Sequence, residues 1–292
     1  MKTNAIIRIV IYSIVILLLL SILGAFLVFD RYAFQYGKTS WAAPIITGGS
    51  GEYHHEEHHI DQHAPTSEPV THIEIEWTAG TVTIQEGDTD RILLSESGSF
   101  DTDEAMIYRQ QGSKLTIQDQ KRDVYIGFYS APEKDLTVTV PRDWEGVSIS
   151  LDTASADLLM KAVTVREVEL DSASGGAVFE DCAIEELEID TASGDVQYTG
   201  TLNSMEYDAA SADLQAVFYN TPRSLDMGTA SGDMDITLPD GSGFTAELDA
   251  MSGNFSSDFD TIRREDTYIH GDGSCRIDLS AMSGDVTIRK GK

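Results

Sequence analysis

The chain is poor in cysteine, in positive charge and in helical pattern. Its two cysteines cannot build a disulfide framework. It sets 20 Lys plus Arg against 49 Asp plus Glu, a net charge of −29. That balance excludes nucleic-acid binding, which needs cations to neutralise phosphates. It equally excludes a domain resting on anionic lipid. No amphipathic helix of useful length is readable after residue 30. Neither a G-x-S-x-G nucleophile elbow nor the glycine-rich nonapeptide of Ca²⁺-binding repeats is present. What remains is a chain of 292 residues, 41% apolar, long enough to bury a real core in one large or two ordinary domains.

Ile9 to Phe29 is a run of 21 residues without a formal charge. About 20 such residues span a bilayer as a helix. Lys2 and Arg8 precede the run and no acid does. The positive-inside rule then makes residues 1–8 a cytoplasmic tip, 9–29 a transmembrane helix, and everything after it extracytoplasmic. A cleaved signal peptide is the competing reading, but its apolar region is about 7–15 residues and ends in small residues. Gly24-Ala25-Phe26 is a poor cleavage site, and no cysteine follows for lipidation. Both readings send the rest of the chain outside.

Residues 30–70 show no sustained periodicity and contain Gly48-Gly49-Ser50-Gly51, Pro65 and Pro69, the composition of a flexible stalk. Five of the seven histidines fall here: His54, His55, His58, His59 and His63. In a helix, His54/His58, His55/His59 and His59/His63 would be i,i+4 pairs able to share Zn²⁺, Ni²⁺ or Cu²⁺. The plainer reading is a solvated linker that titrates near neutral pH.

Residues 71–292 carry a repeat. Leu151-Asp-Thr-Ala-Ser-Ala-Asp-Leu158 returns as Ile189-Asp-Thr-Ala-Ser-Gly-Asp-Val196 and as Met227-Gly-Thr-Ala-Ser-Gly-Asp-Met234, with four further copies. The central serines are Ser155, Ser174, Ser193, Ser211, Ser231, Ser252 and Ser283, spaced 19, 19, 18, 20, 21 and 31 residues. The last step implies an insertion around 256–274. Apolar residues stand six and four before each serine, as in Leu187 and Ile189, and three and usually five after it, as in Val196 and Tyr198. Alternation marks half-buried strands. The odd step across the serine changes the phase, so a corner or bulge must sit there. Small residues at that point suit a tight bend with close backbones.

Two strands and two corners in about 19–21 residues make one coil of a single-stranded, β-helix-like solenoid, with coils about 4.8 Å apart. The alternative is a sandwich of antiparallel hairpins with Ser-Gly turns. Ala156 and Ala212 count against it, because such turns want residues with φ > 0. Stacking would align the serines in one column and Asp157, Asp195, Asp213, Asp233 and Asp285 in another. These acids either accept hydrogen bonds from Ser, Thr and backbone N–H as corner caps or hold Ca²⁺ between them. Cys182 and Cys275 would lie about four coils, roughly 15–20 Å, apart and stay free. The runs Ile73–Trp77, Thr81–Ile84, Lys114–Ile117 and Leu136–Val140 extend the strand pattern, and Ala79–Ile84 reads as a degenerate first copy.

The opening Ile75–Ile84, the Val140-Pro141 step, the recurring Ala-Ser-Gly-Asp-Val/Met and the late Leu238-Pro239 resemble the DUF4097 family of bacterial β-strand-repeat proteins, also labelled candidate adhesins. The resemblance covers roughly 71–290. It implies an extracytoplasmic β-helix-like domain, often on a membrane anchor, and no particular reaction.

Catalysis finds little purchase. A serine nucleophile needs a base, and only His72 and His270 lie in the repeat domain. Glycoside hydrolysis needs one singled-out carboxylate pair, whereas these acids recur. The chain therefore reads as an all-β, non-enzymatic, adhesin-like envelope binding or scaffold protein on a single-pass anchor. No cofactor is required. Its partner would be an envelope protein, a wall polymer or its own kind. Two alternatives stay open: an accessory to envelope-stress or metal sensing, and a carbohydrate-active enzyme.

Overall fold

Strands form where alternation was read. The computed structural model describes residues 53–60, 69–99, 105–119 and 134–291, and every regular element among them is a strand. In chain order these are β1 (Tyr53–Ile60), β2 (His72–Gly87), β3 (Ile92–Ser99), β4 (Ile107–Gln111), β5 (Lys114–Gln118), β6 (Lys134–Pro141), β7 (Gly146–Lys161), β8 (Thr164–Ser172), β9 (Ala177–Ser193) and β10 (Val196–Ser211). Then follow β11 (Leu214–Phe218), β12 (Ser224–Ser231), β13 (Met234–Leu238), β14 (Phe244–Ala250), β15 (Phe255–Ser257), β16 (Ile262–Arg264), β17 (Thr267–His270), β18 (Cys275–Ser283) and β19 (Val286–Lys290). The expected cytoplasmic tip, the transmembrane helix at 9–29, and residues 30–52 and 61–68 of the expected stalk lie outside the described residues.

Strand β7 shows how one coil turns. Ile149, Leu151 and Thr153 are buried, then Ala156, Leu158 and Met160. The odd step from 153 to 156 hands the inner face from one sheet to the other at Ala154-Ser155. Sheet A runs β4, β5, β2, β7, β8, β9, β10, β12, β18, β14, β17, β16. Sheet B runs β1, β3, β6, β2, β7, β9, β10, β11, β13, β19, β15. Strands β2 and β7 pass through this corner, and β9 and β10 through the opposite one near Cys182 and Gly200, so these four serve both sheets and hydrogen bonds connect all nineteen strands. Pairing between coils is parallel. Antiparallel pairs occur only at the two ends, so the chain is a solenoid and not a stack of hairpins.

The stack departs from chain order at both ends. The coil of Ser283 (β18, β19) lies between the coil of Ser231 and that of Ser252. At the other end, β5 and β6 follow β2 in sequence but stack outside it, away from β7. The simple sequential stack is corrected accordingly. The physical gain is that the first and last repeats of the sequence are covered on both sides. The cysteines are accordingly three coils apart rather than four, through Glu186, Ser204, Ser224 and Arg276. That is about 14 Å at about 4.8 Å per coil, and both are free and buried.

The expected stalk is corrected too. Tyr53–Ile60 is a strand, antiparallel to β3 along the edge of sheet B. Without it β3 would present a row of unpaired backbone groups.

Ladders of like residues fill the space between the sheets. Leu170, Ile189, Tyr207, Met227 and Leu279 follow one another on sheet A and are all at most 2% exposed. On sheet B, Phe179, Tyr198 and Phe218 stack with ring centroids 5.9 and 5.6 Å apart. The Tyr198 hydroxyl donates to Thr201 O at 2.8 Å, so its polar end is satisfied. Each fully buried aliphatic side chain in such a ladder contributes about 1.5–3 kcal/mol.

Candidate functional site

The corner residues come first, because the sequence singled them out. Asp157 Oδ1 accepts the Gly176 N–H at 2.9 Å, Asp195 Oδ1 that of Asp213 at 3.1 Å, and Asp213 Oδ1 that of Asp233 at 2.8 Å. Asp233 Oδ1 then accepts the Asp285 N–H, and Asp285 Oδ1 the Asn254 N–H, each at 2.8 Å. Each carboxylate thus caps a backbone donor of the next coil, which is how like charges tolerate being stacked. The last two bonds follow the rearranged coil order.

All seven column serines are exposed. Ser155 Oγ donates to Thr78 O at 3.1 Å and Ser174 Oγ to Ala154 O at 3.2 Å, again coil to coil. The glycines that follow are held by space. Gly232 and Gly284 sit at φ 155° and 147°, and a Cβ on either would come within 1.9 and 2.0 Å of the carbonyl oxygen of the coil beneath. Ala156 and Ala212 hold the same slot without a positive φ.

The histidines are not arranged as the helical spacing assumed. His54, His55, His58 and His59 lie in β1, where about 3.3 Å per residue sets i and i+4 backbones about 13 Å apart. His63 lies outside the described residues. His72 Nδ1 is 2.8 Å from Thr71 Oγ1, and His270 Nδ1 is 2.8 Å from Asp260 O with its ring against Phe244 and Phe259. Burial pushes the Cys182 thiol up to about 11 and Cys275 up to about 12, so both are poor nucleophiles.

The densest chemistry lies on the outer face of sheet A. One outward column reads Glu74, Ser150, Glu169, Glu188, Glu206, Asp226, Asp278, Glu247. The next reads Glu76, Asp152, Asp171, Asp190, Asp208 and then Gly228. Neighbours are about 4.8 Å apart along the stack and about 7 Å along a strand. Burial, and then Asp190, Asp152 and Glu169, push Asp171 up to about 6. Burial with Asp190 and Glu206 pushes Asp208 up to about 6. Asp152, Glu188, Asp190 and Asp226 are raised too, each chiefly by burial and then by neighbouring acids. On this sheet Lys114 pairs with Glu74 at 2.9 Å and Arg276 with Asp278 at 2.7 Å, and between them Arg166 of β8 lies 3.8 Å from Glu185 of β9. An open groove of about 440 Å³ runs along Glu167, Glu186, Glu188, Glu206 and Asp226 and reaches the Arg276–Asp278 pair. No three His, Cys, Asp or Glu of the described residues converge on one point as metal ligands would.

This acidic face was not singled out from the sequence. Its signal was there, however, in Glu169-Leu-Asp171, Glu188-Ile-Asp190 and Glu206-Tyr-Asp208, each at the same distance before the serine.

The fold and its surface define a parallel two-sheet β-solenoid with one charged flank. The profile of the Toastrack DUF4097 family matches residues 70–289, and the chain belongs to that family. Among solved structures it is similar to a candidate adhesin of Bacteroides fragilis, with 13% identity, TM-score 0.50, and coverage of 82% of this chain and 97% of that one. It is also similar to a candidate cell adhesion protein of Clostridium sporogenes, with 11% identity, TM-score 0.43, and coverage of 82% and 100%. A candidate lipid-binding protein of Parabacteroides distasonis matches at 15% identity, TM-score 0.41, and coverage of 82% and 97%. No curated protein matches the chain.

Proposed function

We propose that the protein is a non-enzymatic, adhesin-like binding or scaffold module of the cell envelope. It is held by a single-pass anchor at residues 9–29, with the N-terminus cytoplasmic and the solenoid outside. The acidic face of sheet A presents the binding surface, and the partner is a cationic stretch of an envelope protein or wall polymer. The observation that carries this reading is the carboxylate lattice itself, in which burial and then neighbouring acids raise the proton affinity of Asp171, Asp190 and Asp208. A repeat surface of fixed spacing suits an extended ligand, and charge complementarity gives such contacts speed and register. Co-sedimentation of the full-length protein with purified wall polymer and with envelope fractions tests it. Glu169→Gln, Glu188→Gln and Glu206→Gln together should cut retention several-fold, and salt should do the same to the native protein. Equal retention of variant and native protein would sink the reading.

A second reading, an accessory role in metal sensing, rests on the histidine run lying in β1, the outermost strand of sheet B. Calorimetry with Zn²⁺ or Ni²⁺ tests it, and no heat at micromolar concentration removes it.

A further inference from the structure

In the outermost coil at the β1 end, the corner that other coils turn at the serine falls between Gln118 and Lys134, and residues 120–133 lie outside the described residues. Strand β5 ends at Gln118, and Asp119 stands level with Trp77 and Thr153 on the inward side. The coil resumes at Lys134, whose carbonyl oxygen lies where a Cβ of Gly80 would be. Asp135 then plays the corner acid, accepting the Thr81 N–H at 3.0 Å. The side chains flanking the gap meet inside the protein. Lys134 Nζ lies 2.5 Å from Asp119 Oδ1 and 3.0 Å from Glu96 Oε1, with Lys134 and Glu96 wholly buried and Asp119 6% exposed. Neither of those oxygens has an aligned hydrogen bond, so both contacts are close approaches to the nitrogen.

Each member is fixed from behind. Glu96 Oε2 accepts the Met106 N–H at 2.7 Å, which leaves Oε1 turned to the lysine. The Asp119 N–H donates to Glu76 O at 2.9 Å. Trp77 Nε1 donates to Lys134 O at 2.9 Å, and its ring lies 5.4 Å from Nζ. An amine, a carboxyl carbon and a second carboxylate are thus held together without water, the setting in which proximity replaces activation.

We infer that Asp119 and Lys134 form a self-modification site that closes an intramolecular amide bond, with Glu96 carrying the proton. The Lys134 ammonium gives one proton to Glu96 and becomes an amine. Its nitrogen attacks Asp119 Cγ, forming the Nζ–Cγ bond. One Cγ–Oδ bond breaks, and that oxygen leaves as water with two of the three ammonium hydrogens, the borrowed proton among them. One positive and one negative charge disappear together, and no oxidant or other reactant is consumed. The inference is independent of the binding role proposed above.

Peptide mass mapping of the denatured full-length protein tests it. The expected result is the peptide holding Asp119 joined to the one holding Lys134, one water lighter than their sum, with no tryptic cleavage after Lys134. Glu96→Gln should give unjoined peptides while its circular dichroism matches that of the native protein. Separate, unmodified peptides from the native protein overturn the proposal, as does a bond from Lys134 to Glu96. Full joining in Glu96→Gln overturns the role of Glu96.

Discussion

Sheets A and B share coil spacing, register and an apolar inner face, but their outer faces are unlike. Over three successive coils sheet A shows Glu169 and Asp171, Glu188 and Asp190, Glu206 and Asp208. Over the coils β9, β10 and β11, sheet B shows Val178 and Glu180, then Gln197 and Thr199, then Gln215 and Val217. Where sheet B does carry outward charge, it is paired across coils, as in Lys161–Glu180 at 3.1 Å and Arg289–Asp235 at 2.7 Å. Sheet B therefore stacks as closely without an acidic lattice. The carboxylates of sheet A are an addition to the fold and not a condition of it. The corner acids differ from both, because each one caps a backbone N–H.

The largest effect belongs to the corner that both sheets share. Gly232→Val sets a Cβ against Ala212 O at a φ of 155°, and should cost about 3 kcal/mol or more, read as a lower denaturant midpoint. Removing one corner acid by Asp213→Ala leaves the Asp233 N–H without its acceptor, at about 1 kcal/mol because the site is exposed.

The outer lattice should respond with the opposite sign. In the folded protein burial and neighbouring acids push the Asp171 and Asp208 carboxyls up to about 6, from an ordinary value of 3.8. The folded state thus binds more protons than the unfolded chain between about pH 4 and pH 6. Stability falls as pH rises through that window, and the full penalty stands at pH 7. Asp171→Asn with Asp208→Asn should stabilise the protein at pH 7 by about 1 kcal/mol in total after solvent screening, and flatten the acid side of the stability profile. A destabilised double variant at pH 7 would contradict this account of sheet A. On sheet B, Gln197→Ser should change thermal stability by less than about 0.5 kcal/mol.

The middle of the molecule was readable because every copy repeats the same physical problem. The odd step between Thr153 and Ala156 announced a corner, and the column of Asp157, Asp195 and Asp213 announced its cap. The ends were not readable in the same way. Residues 244–257 and 275–290 satisfy one pattern equally well, so nothing local decides which stacks on Ser231. That choice is made by which coil must be covered on both sides. Nor does alternation in Tyr53–Ile60 stand out, since the strand gains its partner only once β3 is laid on β6. The buried triad did leave a trace: Ile92, Leu94 and Glu96 alternate, which puts an acid in a core slot.

Engineered disulfides read the coil order directly. Ser231 and Ser283 are register partners, so their Cα atoms lie within the roughly 4.4–6.8 Å that a disulfide accepts. Ser231 and Ser252 are two coils apart, about 10 Å. Under mild oxidation, Ser231→Cys with Ser283→Cys should bridge quantitatively in the folded protein, and Ser231→Cys with Ser252→Cys should not. The reverse outcome, a bridge between the sequence neighbours and none to Ser283, would contradict the interleaved stack.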